Sequence, residues 1–184
     1  MRRRDLLPGL LLAPWWPGGK AFAQLGPGVE LSTLALQRDE GALALEFAVR
    51  LTLSRAVEDA LMRGMPVYFV AQAELFRRRW YWRDERIARV RRTWRLAYQP
   101  LTGQWRVSLG ALTQTYVTLP EALAALSAAG RWKVADLDQI DPDSRHYVEF
   151  EYRLDTSQLP SPMQLGLPGQ SDWVLRIERT LNVP

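Results

Sequence analysis

The sequence predicts an α+β domain, mainly an antiparallel β-sheet of about seven strands with two short helices, in one unit. Three observations carry this. Apolar residues recur with period two in run after run, the alternation of half-buried strands. Only two stretches combine helical spacing with cap residues at their ends. Most runs are joined by tight turns, which suit antiparallel neighbours rather than βαβ crossovers. A length of 184 residues is single-domain size, and 47% hydrophobic residues against 24% charged supplies a core.

Residues 29–36 alternate imperfectly, with Val29, Leu31 and Thr33 set against Glu30, Ser32 and Leu34. After a turn at 37–41, Leu43, Leu45, Phe47, Val49 and Leu51 alternate strictly with polar or small neighbours, and the two runs make a hairpin. Ser54 caps a helix over 55–63 that puts Ala56, Val57, Ala60 and Leu61 on one face; Gly64 supplies the left-handed stop and Pro66 bars continuation. A long strand from 67 toward Trp82 follows, then a turn at 83–86 and a return strand over 87–98. A second turn at 100–103 leads to a third strand beginning with Trp105, Val107 and Leu109.

Thr118, Pro120 and Glu121 read as a capping box with proline in the first turn, opening a helix that carries Leu119, Leu123 and Leu126 and ends at Gly130. A short strand over 132–134 and a polar loop over 136–144 come next. His146, Val148, Phe150, Tyr152 and Leu154 then share one face of a strand over 147–154. A loop holding Pro160 and Pro162 precedes the last strand, 173–181.

Residues 1–23 read as an export signal, leaving 24–184 as the working domain. Arg2, Arg3 and Arg4 precede an apolar run over 6–16, and Ala21, Phe22 and Ala23 form a small-x-small cleavage site. The run is 11 residues, broken by Pro8, Gly9 and Pro14, against the roughly 20 needed to cross a bilayer. No transmembrane span is therefore expected in the mature form. Arg3, Arg4, Asp5, Leu6 and Leu7, with Lys20, resemble a twin-arginine signal; the general export route is equally open. A cytoplasmic protein with a basic tail would explain the arginines but not the apolar run ending in Ala-Phe-Ala. The expected location is periplasmic or otherwise exported. Cleavage removes four basic residues and one acid, leaving 20 basic against 19 acidic, a net charge of +1. Near-neutrality argues against nucleic acid as a partner.

Several chemistries are excluded outright. With no cysteine there is no disulfide, thiolate zinc site, cysteine nucleophile or lipid-modified N-terminal cysteine. With one histidine, His146, no site of two or three imidazoles can form, and His146 itself is expected at the surface or a strand edge rather than as a base. Neither Gly-x-Ser-x-Gly, nor a phosphate-cradling glycine loop, nor Ser-x-x-Lys occurs. Asp136, Asp138, Asp141 and Asp143 form the densest acidic group. Counted as a calcium loop, its fifth, sixth and twelfth positions fall on Ile140, Asp141 and Tyr147, where a ligand, a glycine and a glutamate are required. A solvated turn set by Asp141 and Pro142 is expected there, a looser divalent site staying open. No cofactor and no metal site is expected.

The most unusual segment is 77–95, where nine arginines face only Asp84 and Glu85, a local charge of +7, with Trp80, Tyr81, Trp82 and Trp94 interleaved. Period two puts Arg89, Arg91 and Arg95 on one face and Val90, Trp94, Leu96 and Tyr98 on the other. Guanidinium groups fork onto phosphate or carboxylate, and tryptophan offers a stacking or interfacial surface. The candidate binding residues are Arg77, Arg79, Trp80, Trp82, Arg89, Arg91, Trp94 and Arg95. The competing explanation needs no ligand: Arg–Trp stacking stabilises exposed sheets, and 22 arginines against two lysines indicates a coding bias toward arginine.

Pro66-Val67-Tyr68-Phe69 through Arg79-Trp80-Tyr81-Trp82, Arg92-Thr93-Trp94-Arg95-Leu96-Ala97-Tyr98 and Gln104-Trp105-Arg106-Val107 resemble an uncharacterised bacterial family of exported proteins. So do Tyr152-Arg153-Leu154-Asp155 with Leu159-Pro160 and Asp172-Trp173. The family is catalogued as domain of unknown function 4390, with members sometimes labelled proline-rich signal peptide protein. The resemblance covers essentially the whole mature chain, implies export and carries no functional residues with it. The expected function is a non-enzymatic envelope module binding an envelope protein or an anionic lipid or glycan through the Arg/Trp hairpin. The alternative is a carboxylate-dependent hydrolase acting on an envelope glycan.

Overall fold

Among the described residues, nine strands and two short helices build two antiparallel sheets around one core. The computed structural model describes residues 27–81, 83–159 and 170–184; the expected export segment, Trp82 and the loop with Pro160 and Pro162 lie outside them. In chain order the elements are β1 (Gly28–Asp39), β2 (Ala42–Thr52), α1 (Arg55–Met62), β3 (Val67–Arg77), β4 (Glu85–Gln99), β5 (Gln104–Leu109), β6 (Leu112–Tyr116), α2 (Leu119–Leu126), β7 (Ala128–Asp136), β8 (His146–Leu154) and β9 (Arg176–Asn182). The small sheet runs β1-β2-β7 and the large one β6-β5-β4-β3-β8-β9. Every neighbouring pair is antiparallel. The fold class is thus the α+β antiparallel domain the alternation predicts. Among the described residues, no helix is long and apolar enough to cross a membrane.

The two sheets meet through the residues that period two assigns inward. Leu43, Leu45 and Phe47 of β2 are at most 1% exposed, as are Phe69, Ala71, Ala73 and Leu75 of β3 and Val148, Phe150 and Tyr152 of β8. Phe47 is the hinge of this packing: its ring centroid lies 4.9 Å from Phe150, 6.0 Å from Tyr152 and 6.1 Å from Trp132. Tyr152 is buried yet satisfied, because its hydroxyl donates to the Leu126 carbonyl at 3.0 Å.

The turns follow local chemistry. Glu40 and Gly41 both have positive φ, 48° and 80°, giving the primed two-residue turn that matches strand twist in the β1–β2 hairpin. Ser54 caps α1 through a hydrogen bond from the Val57 amide, and Gly64 takes φ of 83° beyond its end. At α2, Thr118 and Glu121 form the reciprocal capping box, with Pro120 in the first turn.

The structure departs from the sequence-based reading at several boundaries. β6 is an additional strand; Leu112, Thr113, Gln114 and Thr115 are all exposed, so it carries no inward-outward pattern to read. Gly130 does not end α2, which stops at Leu126 with Ser127 as its cap; Gly130 lies inside β7, which is far longer than 132–134. There the register skips between Leu45 and Phe47, and Arg131, with φ of 48°, forms a bulge that leaves Trp132 inward. β3 stops at Arg77 rather than continuing to Trp82, and β9 starts at Arg176, after a 3₁₀ turn over Gln170–Trp173. His146 is not at the surface: it is 6% exposed, because it shares the inward face of β8 with Val148. Its Nδ1 lies 3.1 Å from the Ser144 carbonyl oxygen and its Nε2 has no hydrogen-bond partner among the described residues.

Candidate functional site

The arginine-rich segment forms the β3–β4 hairpin, and the pleat sorts its side chains. On the outer face of the large sheet, Arg89 sits opposite Glu74, Arg91 opposite Gln72 and Arg95 opposite Tyr68. Trp94, opposite Phe69, points the other way and is 3% exposed. It belongs to the core and offers no surface to a ligand, so it drops out of the candidate set. Arg92 shares that inward face; burial lowers its pKa, and its guanidinium lies 5.1 Å from the centroid of the Trp132 ring.

The stripe of Arg89, Arg91 and Arg95 has the geometry expected, but it is not a bare cationic surface. Glu74, with 14% of its side chain exposed, meets Arg89 Nε at 3.1 Å and Arg86 at 3.4 Å. Arg89 also donates to Gln72 at 2.8 Å. Arg91 reaches Asp155 Oδ2 at 3.1 Å. Asp155, 4% exposed, also accepts from Arg153, from the amide and hydroxyl of Ser157 and from Gln158. Burial alone would raise the Asp155 carboxyl; the hydrogen bonds from Ser157, Gln158 and Arg153 outweigh it and hold its pKa at about 2. Only Arg95 of the three makes no ion pair among the described residues. One acid, Glu74, lies on β3 of the hairpin itself, just before the arginine run, and the other, Asp155, lies 64 residues from Arg91 beyond β8, so counting charge over 77–95 alone overstates its free charge.

The apex differs. Arg77 and Arg79 both bind the Glu85 carboxylate, and the Arg77 hydrogen bond is the largest influence holding that carboxyl below its ordinary value. The Arg79 amide donates to Asp84 Oδ1 at 3.1 Å and the Tyr147 hydroxyl to Asp84 Oδ2 at 2.9 Å. These two bonds, the backbone one first, depress the Asp84 pKa. The Tyr147 hydroxyl is pushed up to about 12, by burial first and by Asp84 second. The Arg78 amide donates to the Arg145 carbonyl at 2.8 Å, and the Arg78 guanidinium lies 5.2 Å from the Tyr147 ring centroid. Above this braced base, Trp80 is 93% exposed and Tyr81 68% exposed. Their centroids are 5.0 Å apart with planes at 73°. Arg78, Arg83 and Arg145 are exposed and make no ion pair among the described residues.

The structure therefore brings Arg77, Arg79 and Trp80 together at one end of the hairpin, leaves Arg89, Arg91 and Arg95 on the sheet face, and buries Trp94. Tyr81, Arg78 and Arg83 join the apex; their exposure is a property of the loop, where period two no longer sorts side chains. Asp84 and Tyr147, which brace it, are 63 residues apart and have no sequence signal linking them.

A depression of about 410 Å³ on the outer face is lined by Glu74, Glu149, Glu151 and Glu178, among others. Three of these carry arginine partners: Glu74 as above, Glu151 with Arg153 and Arg176, and Glu178 with Arg176. Among the described residues, no group of three or more His, Asp or Glu is placed to hold a metal ion.

Fold and site together define a two-sheet α+β domain carrying a braced, aromatic-tipped arginine hairpin. The chain belongs to the family described as Domain of unknown function (DUF4390), whose model matches residues 26–181. That match gives the family and not the proline-rich signal peptide label. Neither the curated proteins nor the solved structures yielded a match.

Proposed function

We propose that the protein is an exported envelope module that binds rather than catalyses, engaging an anionic or protein partner through the β3–β4 hairpin. The observation that carries this reading is the apex. A tryptophan 93% exposed is unusual for a residue that is mostly buried in folded proteins. Here it stands beside a second exposed ring, with Arg78 and Arg83 close by in the chain, exposed and making no ion pair among the described residues. Tryptophan, tyrosine and arginine are the residues that dominate binding hot spots, since each combines large contact area with a polar handle. The ion pairs that compensate Arg89 and Arg91 move the expected contact from the sheet face to the apex. The arginines and apolar run within residues 1–23 support placing the module outside the cytoplasm.

The test is an Arg78→Ser/Arg83→Ser variant of the full chain, tagged and recovered from envelope extract at low and high salt beside the wild type. The reading expects a bound component that the wild type retains at low salt and releases at high salt, because exposed charge contacts are screened. The variant should lose that component while unfolding at the same temperature. Identical recovery by the two proteins would contradict it.

A further inference from the structure

We infer that the hairpin apex docks on an anionic phospholipid surface, with Trp80 and Tyr81 seated among the headgroups and Arg78, Arg83 and Arg145 on the phosphates. This rests on the reading of the hairpin as the binding surface and names its partner.

Three features select a bilayer over a glycan or a peptide. First, the two rings meet edge to face at 73°, so they present no shared flat platform on which a sugar face or a base would stack. Such an arrangement suits a thick, disordered interface into which amphipathic rings insert at any azimuth; Trp and Tyr concentrate at that depth for this reason. Second, the rings are exposed: Trp80 is 93% and Tyr81 68% exposed, beyond the end of β3. A peptide or sugar is recognised by concave, shaped contact, whereas a surface needs only a protruding apolar tip. Third, basic charge close to the rings along the chain is left uncompensated by ion pairs. Asp84 and Glu85 brace the loop through Arg77, Arg79 and Tyr147. Arg78 and Arg83, which flank the two rings in sequence, and Arg145, whose carbonyl accepts from the Arg78 amide, are exposed and make no ion pair among the described residues. Basic side chains beside interfacial aromatics are attracted to the negative surface of an anionic leaflet within about a Debye length.

The bracing also settles how the tip is presented. The backbone bond from Arg78 to the Arg145 carbonyl and the bond from the Tyr147 hydroxyl to Asp84 tie the two sides of the loop to the start of β8.

The experiment is co-sedimentation of the full chain with vesicles of phosphatidylcholine alone and with added phosphatidylglycerol. Wild type, Trp80→Ser/Tyr81→Ser and Arg78→Ser/Arg83→Ser are compared, so any contribution of residues 1–23 is common to all three. Folding is checked by circular dichroism. The expected result is stronger partition of the wild type onto phosphatidylglycerol vesicles, a fall of about tenfold or more on removing the rings, and loss of the lipid-charge preference on removing the arginines. Unchanged partition in the ring variant overturns the lipid assignment. If that variant at the same time loses a protein partner in the envelope extract, the binding-module reading survives with a protein ligand. If it keeps every partner as well, both readings fall.

Discussion

Replacing Asp155 by Asn should destabilise the protein in a manner that depends on pH. The residue is 4% exposed and joins three pieces of chain: Arg91 on β4, Arg153 on β8, and the 3₁₀ turn through Ser157 and Gln158. Its backbone amide also donates to the Tyr68 carbonyl on β3 at 2.7 Å. Its pKa falls from an ordinary 3.8 to about 2 in the folded chain. At about 1.4 kcal/mol per pKa unit, the ionised carboxylate contributes about 2 kcal/mol to stability at neutral pH. Because the folded value lies below the unfolded one, that contribution is complete well above pH 4. It is lost as pH falls through 3.8 toward 2, with about half remaining near pH 3. Urea unfolding of wild type and Asp155→Asn should differ by about 2 kcal/mol or more at pH 7, since the amide also faces Arg91 and Arg153 with donors. The gap should narrow by about 1 kcal/mol at pH 3. A gap that stays constant with pH would refute the reading of Asp155 as a carboxylate held ionised by Ser157, Gln158 and Arg153.

Two further outcomes follow from placement. Trp94→Ala should cost about 3–5 kcal/mol in the same unfolding assay, as expected for a buried aromatic, whereas Trp80→Ser should stay within about 0.5 kcal/mol; equal costs would mean the hairpin is packed differently. Thr118→Ala removes the oxygen that accepts from the Glu121 amide and half of the capping box. It should lower stability by about 1 kcal/mol without changing the denaturant slope, measured by urea titration.

The parts readable from sequence are those where local chemistry decides. Alternation placed Leu43, Leu45, Phe47, Val148, Phe150 and Tyr152 on inward faces, and the caps at Ser54 and Thr118 stand where their hydroxyls and the following residues put them. The readings that failed are those settled by distant partners. Gly130 looked like a helix stop, but pairing with β2 draws residues 128–136 into a strand, and the bulge at Arg131 absorbs the irregularity. β6 has no buried face, so only its pairing with β5 makes it a strand. For the site, alternation gave the shared face of Arg89, Arg91 and Arg95, and it equally marked Trp94 as inward. It could not reveal that Asp155 cancels part of that charge, because Asp155 is 64 residues from Arg91, while Glu74, opposite Arg89, needs the hairpin register and not alternation alone. Nor does period two extend into the loop, where Trp80 and Tyr81 emerge.

Site-specific photocrosslinking in growing cells tests the central claim most directly. A benzoylphenylalanine in place of Trp80 at the apex is compared with one in place of Leu101, which is fully exposed in the turn between β4 and β5. A binding apex gives light-dependent adducts to lipid or to a defined protein from position 80 and none from position 101. Adducts absent at 80, or equal at both positions, would contradict it.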